Sequence, residues 1–214
     1  MPTPPPTTPH RTESGSIAPA YFERLYEGDP DPWAFETSPY EAAKYEATLD
    51  ALPRARYASA FEVGCANGVL TERLADRCDR VLAVDVAEAA LAQARRRCAG
   101  RGGVEIRRMA VPGEWPDERS AEVDRPFDLV LVSEVGYYLA PPDLDRLRAR
   151  CAASVGRGGH LVLVHWTGET DYPLSGDDVH DAFLADPAWR PLRAGRTADY
   201  RLDVLERGEQ GRAG

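Results

Sequence analysis

Short apolar runs alternate with stretches of helical hydrophobic period through the middle of the chain. The predicted strands cover residues 60–63, 81–86, 104–108, 127–132 and 160–166. A continuous apolar run such as 127–132 is typical of a strand that is covered on both faces. Strands that alternate with helices over short connections predict an α/β fold with a doubly wound parallel sheet.

Helical periods predict the elements that pack on this sheet. The helix at 40–52 has a clear start, because Ser38 is a suitable cap, Pro39 takes the first helical position and Glu41 the third. Further helices are predicted at 18–27, 69–76, 87–98, 141–153 and 177–184.

The pattern changes after residue 166. Residues 189–197 and 199–206 alternate between apolar and polar positions with no helix between them, so we expect two antiparallel strands there. The first sixteen residues are proline-rich and poor in apolar groups, which predicts disorder. The predicted organisation is a disordered tail at 1–16, a helical cap at 17–56, a main domain at 57–206 and a second disordered tail at 207–214.

A glycine turn between the first two predicted strands carries the strongest chemical signal. Glu62 precedes the turn, Gly64 and Gly68 allow the backbone to bend sharply beside a ligand, and a helix follows. Asp85, at the tip of the second strand, is suitably placed to accept hydrogen bonds from both hydroxyls of a ribose. An ordinary strand–turn–helix is the plainer interpretation, since Asn67-Gly68 is a common turn pair.

Two features of this turn separate a sulfonium cofactor from a dinucleotide. The dinucleotide fingerprint needs glycines at the positions that Ala66 and Val69 occupy. Glu62 would repel a pyrophosphate, whereas it would attract the ammonium of a bound methionine group. The turn therefore favours S-adenosylmethionine over NAD.

Composition narrows the class of partner. The chain of 214 residues suits one domain, and its net charge of −9 argues against a nucleic-acid backbone as a partner. No apolar run approaches the ~18 residues of a membrane helix, and the start lacks a signal pattern, so we expect a cytoplasmic protein without a membrane partner. The scattered cysteines are interpreted as small buried residues, namely Cys65, Cys78, Cys98 and Cys151.

Several motifs resemble a known family. They are Asp31-Pro-Trp33-x-Phe35, Ser38-x-Tyr40-Glu41-x-x-Lys44-Tyr45, Thr48-Leu-x-x-Leu52-Pro53, Glu62-x-Gly64-Cys65, Ser133-Glu134-x-x-Tyr137-Tyr138, His165-Trp166 and Asp171-Tyr172-Pro173. With these motifs the chain resembles the class I S-adenosylmethionine-dependent methyltransferases, and among them the nodulation protein S group. The resemblance covers about residues 18–206.

The resemblance implies a fold, a cofactor and a substrate class. The fold is a seven-stranded Rossmann-like sheet whose last two strands are antiparallel, and the substrate is the free amine of a de-acetylated chitin-type oligosaccharide. The protein is expected to be a monomer or a homodimer, without a bound metal. The expected cofactor-binding residues are Trp33, Tyr40, Lys44, Glu62, Gly64, Asn67, Gly68, Asp85, Val86, Ala110, Val111 and Ser133.

Candidate catalytic groups follow the later strands, because ligands of such sheets bind beyond the carboxyl ends of the strands. The candidate catalytic residues are His165 as the natural proton acceptor, Glu134, which is suited to orient an amine, and Tyr137. Of the adjacent Tyr137 and Tyr138, we expect one in the core and the other in the substrate pocket. His180 is expected at the surface. The alternatives left open are an O-methyltransferase that uses His165 as base, a cofactor-binding protein without chemistry, and an NAD-dependent reductase.

Overall fold

The computed structural model describes residues 9–116 and 126–208 of the chain. These residues form seven strands and six α-helices, in addition to a 3₁₀ turn at Gly136–Tyr138. The strands are β1 Ala60–Val63, β2 Val81–Asp85, β3 Val104–Arg108, β4 Phe127–Ser133, β5 Val155–Trp166, β6 Trp189–Arg196 and β7 Tyr200–Arg207. The helices are α1 Pro19–Gly28, α2 Pro39–Ala51, α3 Val69–Leu74, α4 Glu88–Arg97, α5 Pro141–Ser154 and α6 Gly176–Leu184.

The strands form one sheet in the order β3-β2-β1-β4-β5-β7-β6. The first five strands along the chain are parallel, whereas β7 runs antiparallel to both β5 and β6. The predicted fold class is therefore confirmed, including the antiparallel pair at the end. The strand β5 begins at Val155, earlier than predicted, because a register shift lets its first residue pair with Phe127.

Both faces of the sheet are buried, as the continuous apolar strands predict. Phe61 and Val63 of β1 point into a core that also contains residues of α5 and α6, whereas Ala60 points into a second core that contains residues of α3 and α4. Alternate residues of each strand thus serve different cores. The four cysteines are buried and unpaired.

The start of α2 follows the predicted capping pattern. Ser38 accepts a hydrogen bond from the Glu41 N–H, and Pro39 occupies the first helical turn. The helix α6 begins with a reciprocal capping box between Ser175 and Asp178. Both caps satisfy backbone donors that a helix start otherwise leaves free.

The prediction of disorder was wrong for part of the N-terminal segment. Residues 1–8 lie outside the described part, but Arg11 and Ile17 form a β-bridge, and Ser16 is buried. The Ser16 hydroxyl donates to Asp143 Oδ2 on α5 at 2.5 Å and accepts from the Ala140 N–H at 2.8 Å. We call residues 10–17 the N-terminal turn.

The C-terminal prediction also needs a correction at its first residues. Arg207 ends β7 and its guanidinium donates to the carbonyls of Ala152 and Ala188, while Gly208 N–H donates to Ala188 as well. These contacts hold the chain in place up to residue 208. Residues 209–214 lie outside the described part.

Candidate active site

A cavity of about 610 Å³ lies beyond the carboxyl ends of β1, β2 and β4. The chain leaves β1 toward β2 on one side, while β4 pairs with β1 on the other side, so the cavity lies where the strand order reverses. Open α/β sheets bind their ligands at this position. The volume is in the ordinary range for a small-molecule site.

The glycine turn contributes to the wall of this cavity. Gly64 has a φ of +77°, and a Cβ there would lie 2.2 Å from Val135 Cγ2 of the loop after β4. Gly68 is required for a different contact, because a Cβ there would lie 2.8 Å from Ala94 of α4. Gly64 lies on the cavity wall, whereas the structure places the predicted ligand residue Gly68 in the packing of α3 against α4.

Asp85 lies on the cavity wall at the end of β2. Its carboxylate accepts the Ala66 N–H at 2.9 Å and the Ala87 N–H at 3.0 Å. It therefore ties the glycine turn to the start of α4 and has a fixed orientation. Burial raises its pKa above the usual range.

Glu62 lies in a second, smaller cavity beside the glycine turn, together with Asn67. The Thr71 hydroxyl donates to the Glu62 carboxylate at 2.6 Å. Burial raises the pKa of Glu62 to about 7, although the hydrogen bond from Thr71 lowers it. Gly64 and Ser133 border both cavities, so the two are neighbouring spaces.

Aromatic and apolar side chains cover the remainder of the large cavity. Trp33 is buried on its wall and stacks on Phe35, with ring centroids 5.7 Å apart. Val86, Ala110 and Val111, which were predicted to contact the cofactor, also line this cavity.

Glu134 lies at the boundary between the two cavities in a left-handed conformation, with φ at +56°. Its carboxylate accepts from Lys44 Nζ at 2.6 Å, from the Tyr137 hydroxyl at 2.5 Å and from the Trp166 N–H at 3.0 Å. These donors hold a residue whose backbone conformation is unfavourable for a side chain with a Cβ. The predicted catalytic residue Glu134 is thus at the cavity, with a fixed orientation.

Two predicted cofactor contacts on α2 are not on the cavity wall. The Lys44 side chain is 1% exposed and its ammonium binds both Glu41 and Glu134, so it is not a free cation for a ligand carboxylate. Tyr40 packs edge-on against Tyr200 of β7 and lies beneath the Lys44 ammonium. Burial of Lys44 depends on Glu134, which is distant in sequence, so local pattern gives no sign of it.

His165 does not fit the predicted role of general base. It is fully buried, lies off the cavity wall, and its Nε2 accepts the Gly136 N–H at 3.0 Å. Burial holds its pKa well below the usual value, and His180 and the Lys44 ammonium nearby lower it further. His180, which we expected at the surface, is fully buried beside it, with His165 Nδ1 and His180 Nε2 3.1 Å apart.

The two adjacent tyrosines have different positions. Tyr137 is 2% exposed and reaches the cavity only through its bond to Glu134, whereas Tyr138 lies on the cavity wall. Tyr137, the predicted catalytic residue, is thus in the core, and the residue that lines the cavity is Tyr138. Tyr137 has no direct access to a ligand in the cavity.

One part of the cavity wall was not predicted from the sequence. It is formed by the N-terminal turn, including Ser14 and Ser16, together with Asp143 and Arg146 of α5. Asp143 accepts from both serines and pairs with Arg146, and these bonds lower its pKa against the effect of burial. The spacing of Asp143 and Arg146 on one helix face was the available signal, but nothing local connects it to residues 14–16.

The described residues contain no group of three or more His, Cys, Asp and Glu side chains arranged to hold a metal ion. Within the same residues, no helix is long and apolar enough to cross a membrane.

The sheet order, the antiparallel final pair and the cavity at the point of strand reversal define the fold class. The chain has the class I methyltransferase fold. More narrowly, residues 22–155 match the family model of Nodulation protein S (NodS), and the chain belongs to this family.

Individual relatives support this assignment. Nodulation protein S of Rhizobium tropici is 33% identical over 141 residues, which are 62% of this chain and 54% of the relative. The chain spans about half of the length of the curated relatives it matches.

Solved structures extend the likeness over most of the chain. A crystal structure of a Pseudomonas syringae protein is 34% identical, with a TM-score of 0.67, and the match covers 78% of this chain and 99% of that one. N-methyltransferase NodS of Bradyrhizobium japonicum WM9, solved with S-adenosyl-L-homocysteine, has a TM-score of 0.71 at 22% identity, covering 87% of this chain and 98% of that one.

Proposed function

We propose that this protein is an S-adenosylmethionine-dependent methyltransferase whose acceptor is the amine of a small molecule. The observation that carries the proposal is the cavity beyond β1, β2 and β4, with Gly64 and Asp85 on its wall and Glu62 beside it. Family membership and the fold agree with it.

Three groups of residues at the two cavities support this cofactor. Asp85, held by two backbone N–H groups, is oriented to accept hydrogen bonds from ribose hydroxyls. Val86, Ala110 and Val111 offer an apolar slot for a planar base. Gly64 and Ser133 lead toward Glu62, whose carboxylate suits the ammonium at the methionine end.

When bound, the cofactor would supply an activated methyl group. The N–C bond would form as the C–S bond breaks, the electron pair of the C–S bond would remain on sulfur, and the methylated ammonium would then release a proton to solvent. The protein's part is therefore to align the acceptor and to exclude water. Trp33 and Tyr138 supply rigid aromatic walls for this purpose. Burial of an acceptor amine favours its neutral, nucleophilic form.

Charge around the cavity favours an amine over a phenol as acceptor. The wall carries the carboxylates of Glu13, Asp85, Glu134 and Asp143, but Arg146 is the single basic side chain among its described residues. Glu134 is already paired with Lys44 and Asp143 with Arg146, which leaves the carboxylates of Glu13 and Asp85 to attract a cationic amine. Among those wall residues there is also no histidine to deprotonate a hydroxyl, because His165 lies outside the cavity.

Ligand-induced thermal stabilisation tests the cofactor first. S-adenosylhomocysteine at about 100 times its dissociation constant stabilises the folded state by about 2.7 kcal/mol, whereas NAD at the same concentration leaves the melting temperature unchanged. Stabilisation by NAD alone would contradict the proposal and support a reductase.

A panel of acceptors then tests the chemistry. Methyl-labelled S-adenosylmethionine is incubated with amines, amino sugars, de-acetylated chitin-type oligosaccharides and phenols, and labelled products are identified by mass spectrometry. We expect label on nitrogen. Label on phenolic oxygen alone would show that the acceptor is a hydroxyl and not an amine. Thermal stabilisation by S-adenosylhomocysteine without any labelled product would support a protein that binds the cofactor but does not transfer the methyl group.

A further inference from the structure

A chain of buried hydrogen bonds runs from β7 to the loop that forms the cavity floor. Asp203 Oδ2 lies 2.7 Å from His180 Nδ1, His180 Nε2 lies 3.1 Å from His165 Nδ1, and His165 Nε2 lies 3.0 Å from the Gly136 nitrogen. The three side chains are 0–2% exposed. A buried polar chain is stable only when each member finds a partner, so these contacts have structural consequences.

The Gly136 end of this chain determines which atom donates in each hydrogen bond. The Gly136 N–H is a donor only, so His165 Nε2 must accept and the proton of His165 must be on Nδ1. His165 Nδ1–H then donates to His180 Nε2, which places the proton of His180 on Nδ1. That proton meets the carboxylate of Asp203, which also accepts from Arg201 Nε at 2.9 Å.

The loop at the end of this chain supplies much of the cavity floor. Glu134 and Tyr138 lie on the cavity wall, and Val135 packs against Gly64. Gly136 lies between them in the 3₁₀ turn. Because Glu134 adopts a left-handed conformation, the loop depends on contacts from outside to keep its shape.

We infer that the Asp203–His180–His165 chain positions this loop by accepting the Gly136 N–H, and that it thereby fixes the contact between Val135 and the glycine turn. His165 acts through the backbone and touches no ligand, so it is a positioning residue. The consequence for ligand binding rests on the proposed function, whereas the consequence for the loop does not.

The protonation pattern is tested directly by NMR of the wild-type protein labelled with ¹⁵N. Long-range spectra of the imidazole rings report which ring nitrogen carries the proton. The inference requires the Nδ1–H form for both His165 and His180, and a downfield Gly136 amide proton. An Nε2–H form or a doubly protonated ring at His165 overturns it, because neither can accept the Gly136 N–H.

Two variants of His165 separate positioning from bulk packing. In His165→Gln the side-chain amide oxygen reaches about as far as Nε2 and can still accept from Gly136, whereas the shorter His165→Asn retains a group toward His180 only. Both remove the ring, so similar melting temperatures are expected. The downfield Gly136 amide signal should persist in His165→Gln and be lost in His165→Asn, with shifts at Glu134 and Val135.

Calorimetric titration with S-adenosylhomocysteine completes the test. We expect affinity within about twofold of wild type for His165→Gln and about tenfold weaker for His165→Asn, since the loop loses one buried hydrogen bond. Equal affinities and equal Gly136 signals in the two variants overturn the inference. Absence of binding to the wild type counts against the proposed function, and the Gly136 signal still decides the role of His165.

Discussion

Asp85 combines two tasks at the end of β2. It accepts two backbone N–H groups, which shape the glycine turn, and it lies on the cavity wall at the expected place of a ribose. The position of Asp85 at the tip of the second predicted strand indicated the second task. It did not predict that the Ala66 N–H would bond to the same carboxylate.

Replacement of Asp85 tests the ribose contact. We expect Asp85→Ala to lower the affinity for S-adenosylhomocysteine by at least a hundredfold, since hydrogen bonds to a charged group contribute about 1.5–3 kcal/mol each. Calorimetry measures the loss. Asp128→Ala is the matched control, because Asp128 also accepts two backbone N–H groups but lies away from the cavity. Equal losses in both variants would remove Asp85 from ligand binding.

Glu62 makes stability depend on pH. Its pKa is about 7 in the folded protein and about 4.5 when exposed. Between these two pH values Glu62 is ionised in the unfolded chain but protonated in the folded protein. The contribution of Glu62 to the free energy of unfolding is therefore complete below pH 4.5 and is lost as the pH rises through 7, by up to about 3 kcal/mol.

The expected result is that Glu62→Gln matches the wild type at pH 4 and exceeds its free energy of unfolding at pH 8. Urea denaturation at both values checks this difference. Glu46→Gln, at an exposed position on α2, should show no such difference. A pH-independent effect of Glu62→Gln would mean that the pKa of Glu62 is the same in the folded and the unfolded chain.

At the scale of elements, local pattern predicted most of the architecture. Every predicted helix and strand of the described residues is present, because period and capping residues are local properties. The errors concern partners that are distant in sequence. Lys44 is buried by Glu134, His165 is held by His180 and Asp203, and no local pattern shows these contacts.

Substitution of the two glycines of the turn separates ligand binding from the packing of α3 against α4. Gly64→Ala forces a Cβ into Val135 and should abolish binding of S-adenosylhomocysteine. Gly68→Ala instead strains the contact between α3 and α4, so we expect a loss of about 1–3 kcal/mol in stability with ligand affinity retained. Calorimetry and urea denaturation of both variants distinguish the effects. Loss of ligand affinity in Gly68→Ala, with affinity retained in Gly64→Ala, would show that Gly68 and not Gly64 approaches the ligand.

At the scale of the whole molecule, the cavity is closed by the first described residues. The family match begins at residue 22, so the N-terminal turn lies outside it. The cavity therefore joins a floor of family residues to a wall from the N-terminal turn. This wall was predicted to be disordered because its composition is polar, and its order comes from Asp143 on α5.

Ser16 fixes that wall through two buried hydrogen bonds. We expect Ser16→Ala to lower the free energy of unfolding by about 1–3 kcal/mol, since Asp143 and the Ala140 N–H both lose a partner. Trypsin cleavage after the exposed Arg11 should also become faster. Ser14→Ala is the control, because exposed Ser14 shares the same acceptor and should cost less than half as much. Unchanged cleavage in Ser16→Ala would show that the N-terminal turn is held by other contacts.

The most direct test of the proposed function is a crystal structure of the protein with S-adenosylhomocysteine. The proposal predicts density in the large cavity, with the ribose hydroxyls within hydrogen-bond distance of Asp85 and the amino group toward Glu62. Density elsewhere, or an unfilled cavity at saturating ligand, would contradict it.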